Sequence, residues 1–142
     1  MRVRAVIAAL CVAAAVAAPG AWASAGRGRS IGTPEQIAWV RHAASRFVTA
    51  ELTHNGAEAC AVLNAPMRAV VHGTSCEQRW NARIGRLLRR RGERAALRRE
   101  LHATARARVV VHGTTATIDL PEPLIRGANR LRWTENCWML ES

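Results

Sequence analysis

The chain has 142 residues, and its 21 basic and 10 acidic side chains give a formal net charge of +11. This length favours a single domain. All the basic residues are arginine, Tyr is absent and Asp119 is the only aspartate, so acid–base pairs built on Tyr or on two aspartates are excluded.

The first 23 residues have the pattern of a secretory signal peptide. A basic MRVR start precedes an apolar run over 5–18 and a small-residue cleavage pattern, Ala21-Trp22-Ala23. A membrane span needs roughly 20 apolar residues, so an uncleaved anchor is the less favoured alternative. Cleavage after Ala23 would leave 21 − 2 = 19 basic against 10 acidic residues, a net charge of +9. We therefore expect a secreted or extracytoplasmic protein.

The domain is predicted to begin with helices, after a Gly/Ser/Arg-rich lead-in at 24–32 that is typical of disorder. Thr33-Pro34-Glu35-Gln36 and Ser75-Cys76-Glu77-Gln78 are both capping boxes, which mark helix starts. Apolar spacing and the Gly and Pro breakers then predict helices at about 33–53, from 56 to before Pro66, at 66–72, from 76 to Gly92, and at 93–102.

After residue 107 the spacing of apolar residues changes from the helical period to the alternation that is typical of strands. Strands at 108–111 and 114–120 flank His112-Gly113, and a two-residue loop there would place Val111 opposite Thr114 and Val109 opposite Ala116. A second pair around Glu135-Asn136 would place Trp133 opposite Trp138 and Leu131 opposite Leu140. The prediction is an α+β domain over 33–142, with N-terminal helices packed on an antiparallel sheet.

The string VVHGT occurs twice, at 70–74 and 110–114. A shift of 40 residues aligns little else, so this is not a duplication. We expect Gly73 to end a helix in the first copy and His112-Gly113 to turn a hairpin in the second.

Three segments together carry a family resemblance: EACAVLNAPMRAVVHGTSCEQRW, RARVVVHGTTATIDL and RLRWTENCWMLES. With the long first helix, they resemble small secreted bacterial proteins of the nuclear transport factor 2-like (SnoaL-like) superfamily, over about 33–142. The resemblance implies a cone-shaped α+β fold with a curved sheet. Enzymes of this fold use an Asp or His base with a Tyr or acidic donor, and this chain lacks Tyr and places Asp119 at a strand end.

The cysteines predict one disulfide. A straight helix would separate Cys60 and Cys76 by about 24 Å, whereas a bridge needs roughly 4.4–6.8 Å between Cα atoms. The breakers between them allow the chain to fold back, so we expect the Cys60–Cys76 bridge, with two separately buried thiols as the alternative. For Cys137 the sequence favours a buried thiol over an intermolecular bridge.

Candidate site residues fall into two sets. The aromatic residues could line a pocket or simply form core: Trp39, Phe47, Trp80, Trp133 and Trp138. Four arginines could bind an anionic partner, although a solvated helix face is favoured: Arg79, Arg83, Arg86 and Arg90. The five histidines lack metal-ligand spacing, so neither a metal nor a cofactor is expected.

These observations favour a secreted, non-catalytic binding or accessory domain with one structural disulfide, for a small apolar ligand or an envelope component. One alternative is an arginine-rich module that docks on an anionic envelope polymer or lipid. Another is an atypical cone-fold isomerase or hydrolase. No specific nucleic acid is expected as a partner, and a homodimer is left open.

Overall fold

The structure, a computed structural model, describes residues 29–121, 129–134 and 136–141. The predicted signal peptide at 1–23 and residues 24–28 of the lead-in lie outside the described residues.

Five helices precede the sheet within the described residues: α1 Pro34–Leu52, α2 Gly56–Ala61, α3 Ala65–Arg68, α4 Cys76–Leu88 and α5 Glu93–Thr104. Both capping boxes are confirmed. The Thr33 hydroxyl accepts from the backbone of Gln36, and the Ser75 hydroxyl accepts from that of Gln78. The third helix ends four residues earlier than predicted.

The sheet is an antiparallel meander of four strands in the order β1-β2-β3-β4: β1 Val109–His112, β2 Thr115–Ile118, β3 Arg130–Thr134 and β4 Cys137–Glu141. Helices followed by this sheet confirm the α+β class. The predicted β3–β4 register is also confirmed, since Trp133 lies opposite Trp138 and Leu131 opposite Leu140.

The predicted β1–β2 register is wrong by two residues. Val111 pairs with Ala116 and Val109 with Ile118, so the two-residue loop is Gly113-Thr114. Gly113 has a φ of +58°, and the first loop position of a tight hairpin favours glycine for this reason. Because side chains alternate with period two, the shift leaves the same residues on the buried face.

The first VVHGT copy also forms a tight turn instead of ending a helix. Val71 and Thr74 pair in an antiparallel bridge, and His72 and Gly73 between them have φ values of +49° and +74°. Positive φ at both loop residues is the geometry of a type I′ hairpin turn. The predicted role of Gly73 is therefore wrong.

Both edges of the sheet are covered by other parts of the chain. Ile31 exchanges backbone hydrogen bonds with β1, accepting from Val111 at 2.9 Å and donating to Val109 at 2.8 Å. These bonds hold Ile31, near the end of the predicted lead-in, against β1. At the other edge, the Leu140 amide of β4 donates to Val62 at 2.8 Å. Unpaired edges template aggregation, and these contacts occupy them.

One core joins the helices to the sheet, with α1 at its centre. Phe47 and Val48 on α1, Ile84 on α4, and Leu131 and Leu140 on the sheet are fully buried. α1 contacts α2 and α5 on one side and strands β1, β2 and β4 on the other.

The Cys60–Cys76 disulfide is confirmed, with 6.1 Å between the Cα atoms. It joins α2 to the first residue of α4. The buried thiol expected at Cys137 is wrong, because this residue is disulfide-bonded and the described residues include no free cysteine.

Candidate anion-binding groove

An open groove of about 310 Å³ lies between α4 and the segment that precedes it. Its lining consists of three arginines and two apolar side chains: Met67, Arg79, Trp80, Arg83 and Arg86. We call this the arginine groove. The three arginines are spaced by four and three residues along α4, so they share one face of the helix.

Arg79 forms the end of the groove that is tied to the preceding loop. Its guanidinium donates to the carbonyl of Thr74 at 2.8 Å and to that of Met67 at 3.1 Å. Both groups are partly buried, so Arg79 holds the 67–74 loop against α4. This role leaves less of its donor capacity for a ligand than Arg83 and Arg86 retain.

Trp80 forms the apolar floor of the groove. It is 7% exposed and packs edge-to-face on Phe47 of α1, with 5.1 Å between ring centroids. The guanidinium of Arg83 lies 4.7 Å from the centroid of the same indole, a cation–π contact that fixes the charge over the ring. A ligand in the groove would therefore meet a cation that is positioned over a largely buried indole.

Glu51, which the sequence analysis did not single out, is a buried carboxyl close enough to Arg83 to feel its charge. It is 6% exposed, and burial raises its pKa to about 7 against the opposing effect of Arg83, while Glu100 and Glu93 raise it further. The signal was present in the sequence, because Glu51 follows Phe47 by four residues and so falls on the apolar stripe of α1.

The five candidate aromatic residues form two separate groups. Phe47 and Trp80 meet between α1 and α4, as described above. Nearer the N-terminal end of α1, Trp39 stacks on Trp133 at 5.3 Å, and Trp133 meets Trp138 edge-on at 5.6 Å. Of the five, Trp80 alone is among the residues that line the groove.

Arg90, the fourth candidate arginine, does not line the groove. α4 ends at Leu88, two residues before Arg90. The backbone of Arg90 is therefore outside the helix that places the other three arginines on one face. Among the described residues there is no group of three or more His, Cys, Asp or Glu side chains that could hold a metal ion. No helix in the described part of the chain is long and apolar enough to cross a bilayer.

The chemistry of the lining suits an anionic ligand. None of the five lining residues is an Asp, Glu, His or Cys, so none can exchange a proton as a general base near neutral pH. Guanidinium groups instead donate forked hydrogen bonds that match phosphate and carboxylate oxygens. The groove is thus suited to an anionic group that is flanked by an apolar surface.

Comparisons with known protein families, with curated proteins and with solved structures find no match to this chain.

Proposed function

We propose that this protein is an extracytoplasmic, non-catalytic binding module and that the arginine groove is its site for an anionic ligand. The observation that carries the proposal is the convergence of Arg79, Arg83 and Arg86 on one groove floored by Trp80. The proposed location of the protein outside the cytoplasm is supported by the predicted signal peptide and by the Cys60–Cys76 disulfide, because disulfides persist in oxidising compartments.

The distribution of charge supports the same site. Residues 76–108 carry eleven arginines and three glutamates, so 11 − 3 = +8 of the chain's net +11 falls within these 33 residues. Such a concentration of one sign attracts anions over about a Debye length, 8–10 Å at physiological salt. The groove offers the place on this surface where charge and shape coincide.

We also propose that the helices and sheet pack in the cone-like manner of the nuclear transport factor 2-like superfamily. Support comes from the helix-first order and the antiparallel meander, together with the sequence resemblance. On this proposal, the domain keeps a binding fold without the acid–base set that the enzymes of that fold use.

Binding of a soluble polyanion, inorganic polyphosphate, tests the proposed site. We expect Arg83→Gln with Arg86→Gln to weaken binding by about tenfold or more, because charged hydrogen bonds contribute about 1.5–3 kcal/mol each and about 1.4 kcal/mol is tenfold in affinity. The matched control is Arg98→Gln with Arg99→Gln, two exposed arginines on α5, which removes the same net charge elsewhere.

The control pair should reduce polyphosphate affinity only a few-fold, through the loss of general attraction. Titration calorimetry at low and physiological salt measures both double variants, and far-UV circular dichroism verifies that each is folded. Equal losses from the two pairs would contradict the proposal, because the anion would then respond to net charge and not to the groove.

A further inference from the structure

Two adjacent valines stand exposed at the end of the 67–74 loop. Val70 is 68% and Val71 45% exposed, and they are two of the three large apolar side chains found exposed among the described residues. We call this pair the valine tip. A single exposed apolar residue needs no explanation, but these two adjacent valines lie in the loop whose Met67 lines the arginine groove.

The backbone holds the valine tip in place. Val71 donates to Thr74 at 3.2 Å and Thr74 donates back to Val71 at 2.9 Å, which closes the tight turn through His72 and Gly73. The Arg79 guanidinium then fastens this turn to α4 through the carbonyls of Thr74 and Met67. The valines therefore remain presented to solvent, and a partner need not order the loop on binding.

The valine tip borders the arginine groove. Met67 and Arg79 both line the groove and also hold the loop that carries the tip. The tip is therefore joined to the groove through Met67 and Arg79, in the loop that supplies one side of the groove.

We infer that the valine tip and the arginine groove together dock this domain on an anionic lipid surface. The inference rests on the proposed function, since it names the source of the anionic group. The valines would enter the interface between headgroups and acyl chains, while the arginines contact lipid phosphates, the combination by which peripheral proteins bind bilayers.

A second copy of the chain is a poorer occupant of this surface, because two copies would bring like-charged grooves together. A hydrated polyanion would satisfy the arginines but would leave the valines in water. A lipid surface is the partner that accepts both parts.

Vesicle sedimentation tests the inference, with phosphatidylglycerol mixed into phosphatidylcholine and with phosphatidylcholine alone. The unaltered protein should bind the anionic vesicles and leave the neutral ones. Val70→Ser with Val71→Ser should lower the affinity for anionic vesicles by about tenfold, from the loss of two partly inserted apolar side chains, and should leave polyphosphate binding unchanged. Ile31→Ser is the control, since Ile31 is also exposed but lies beside β1.

Two results would overturn the inference. One is polyphosphate binding by a protein that ignores anionic vesicles, which leaves the proposed function standing with a soluble anionic polymer as the ligand. The other is equal vesicle binding by the tip variant and the Ile31 control. Failure of the proposed function is seen separately, as equal polyphosphate losses from the groove and control arginine pairs.

Discussion

Glu51 places a carboxyl group inside the helical layer, one turn after Phe47 on α1. Ionised, it must lose most of its hydration, and the nearby charges of Glu93 and Glu100 offset part of the attraction of Arg83. Its pKa of about 7 in the folded chain compares with an ordinary value near 4.3 in an unfolded one. Because the folded state holds the proton more tightly, ionisation of Glu51 weakens the fold.

The stability of the protein should therefore fall as the pH rises from about 4.5 to about 7, by an amount of the order of 3 kcal/mol from this group. The stabilising contribution is complete below the unfolded pKa and lost above the folded one. Glu51→Gln should match the unaltered protein at pH 4 and exceed it at pH 8. Urea unfolding at the two pH values measures the difference.

Asp119→Asn supplies the control for this pH effect, since Asp119 is an exposed carboxyl. It should leave the fall in stability in place. An equal fall in the Glu51→Gln variant would show that another group causes the dependence.

At the scale of elements, the Cys60–Cys76 bridge closes the segment that carries α3, the valine tip and one wall of the groove. Beside it, the Gly56 amide donates to the Asn81 side chain at 2.8 Å, which holds α2 close to α4. A Cβ at residue 56 would lie 2.6 Å from that Asn81 oxygen and 2.7 Å from the Glu77 carbonyl. The disulfide and the Gly56–Asn81 hydrogen bond thus both hold α2 against α4.

Replacing both cysteines, Cys60→Ala with Cys76→Ala, should cost about 3 kcal/mol by the chain-entropy argument, or roughly 10 °C in the melting temperature. Polyphosphate affinity should fall a few-fold, because Met67 lies inside the loop that the bridge closes. Thermal unfolding and calorimetry measure the two effects. Substitution is the cleaner test, because it removes this bridge alone, whereas a reductant acts on every disulfide present.

Features that depend only on a few neighbouring residues were predicted correctly from the sequence, whereas the two turns were not. The caps at Thr33 and Ser75 were predicted because a capping box needs only four consecutive residues. The β1–β2 register was missed by two because both alternatives bury the same alternating side chains, and the choice depends on the φ of Gly113. The turn at His72-Gly73 was missed because the preceding apolar residues also fit a helix.

Some residues of the candidate site could be predicted from the sequence, and others could not. Helical spacing brings Arg79, Arg83 and Arg86 together and was visible in the sequence, along with Trp80. The placement of Met67 and the valine tip was not, because it follows from the hydrogen bonds of Arg79 across a loop. Tertiary contacts of this kind leave no periodic pattern.

At the scale of the whole molecule, α1 joins the helical layer to the sheet, and Arg41 is its polar link. The Arg41 guanidinium donates twice to the carbonyl of Ala107, at 3.0 and 2.7 Å, just before β1. Ala107 is fully buried, and burial lowers the pKa of Arg41. Loss of this donor would leave a buried carbonyl without a partner at the junction of the two layers.

Arg41→Leu should therefore destabilise the whole domain by about 1–3 kcal/mol, the cost of an unsatisfied buried acceptor. The control is Arg46→Leu on the same helix, where the lost partner is the half-exposed Glu58 and the cost should stay below about 1 kcal/mol. Far-UV circular dichroism reports the helices, and tryptophan fluorescence includes the Trp39–Trp133 contact with the sheet. Because both layers share one core, the two signals should shift together in Arg41→Leu; separate transitions would show that helices and sheet unfold independently.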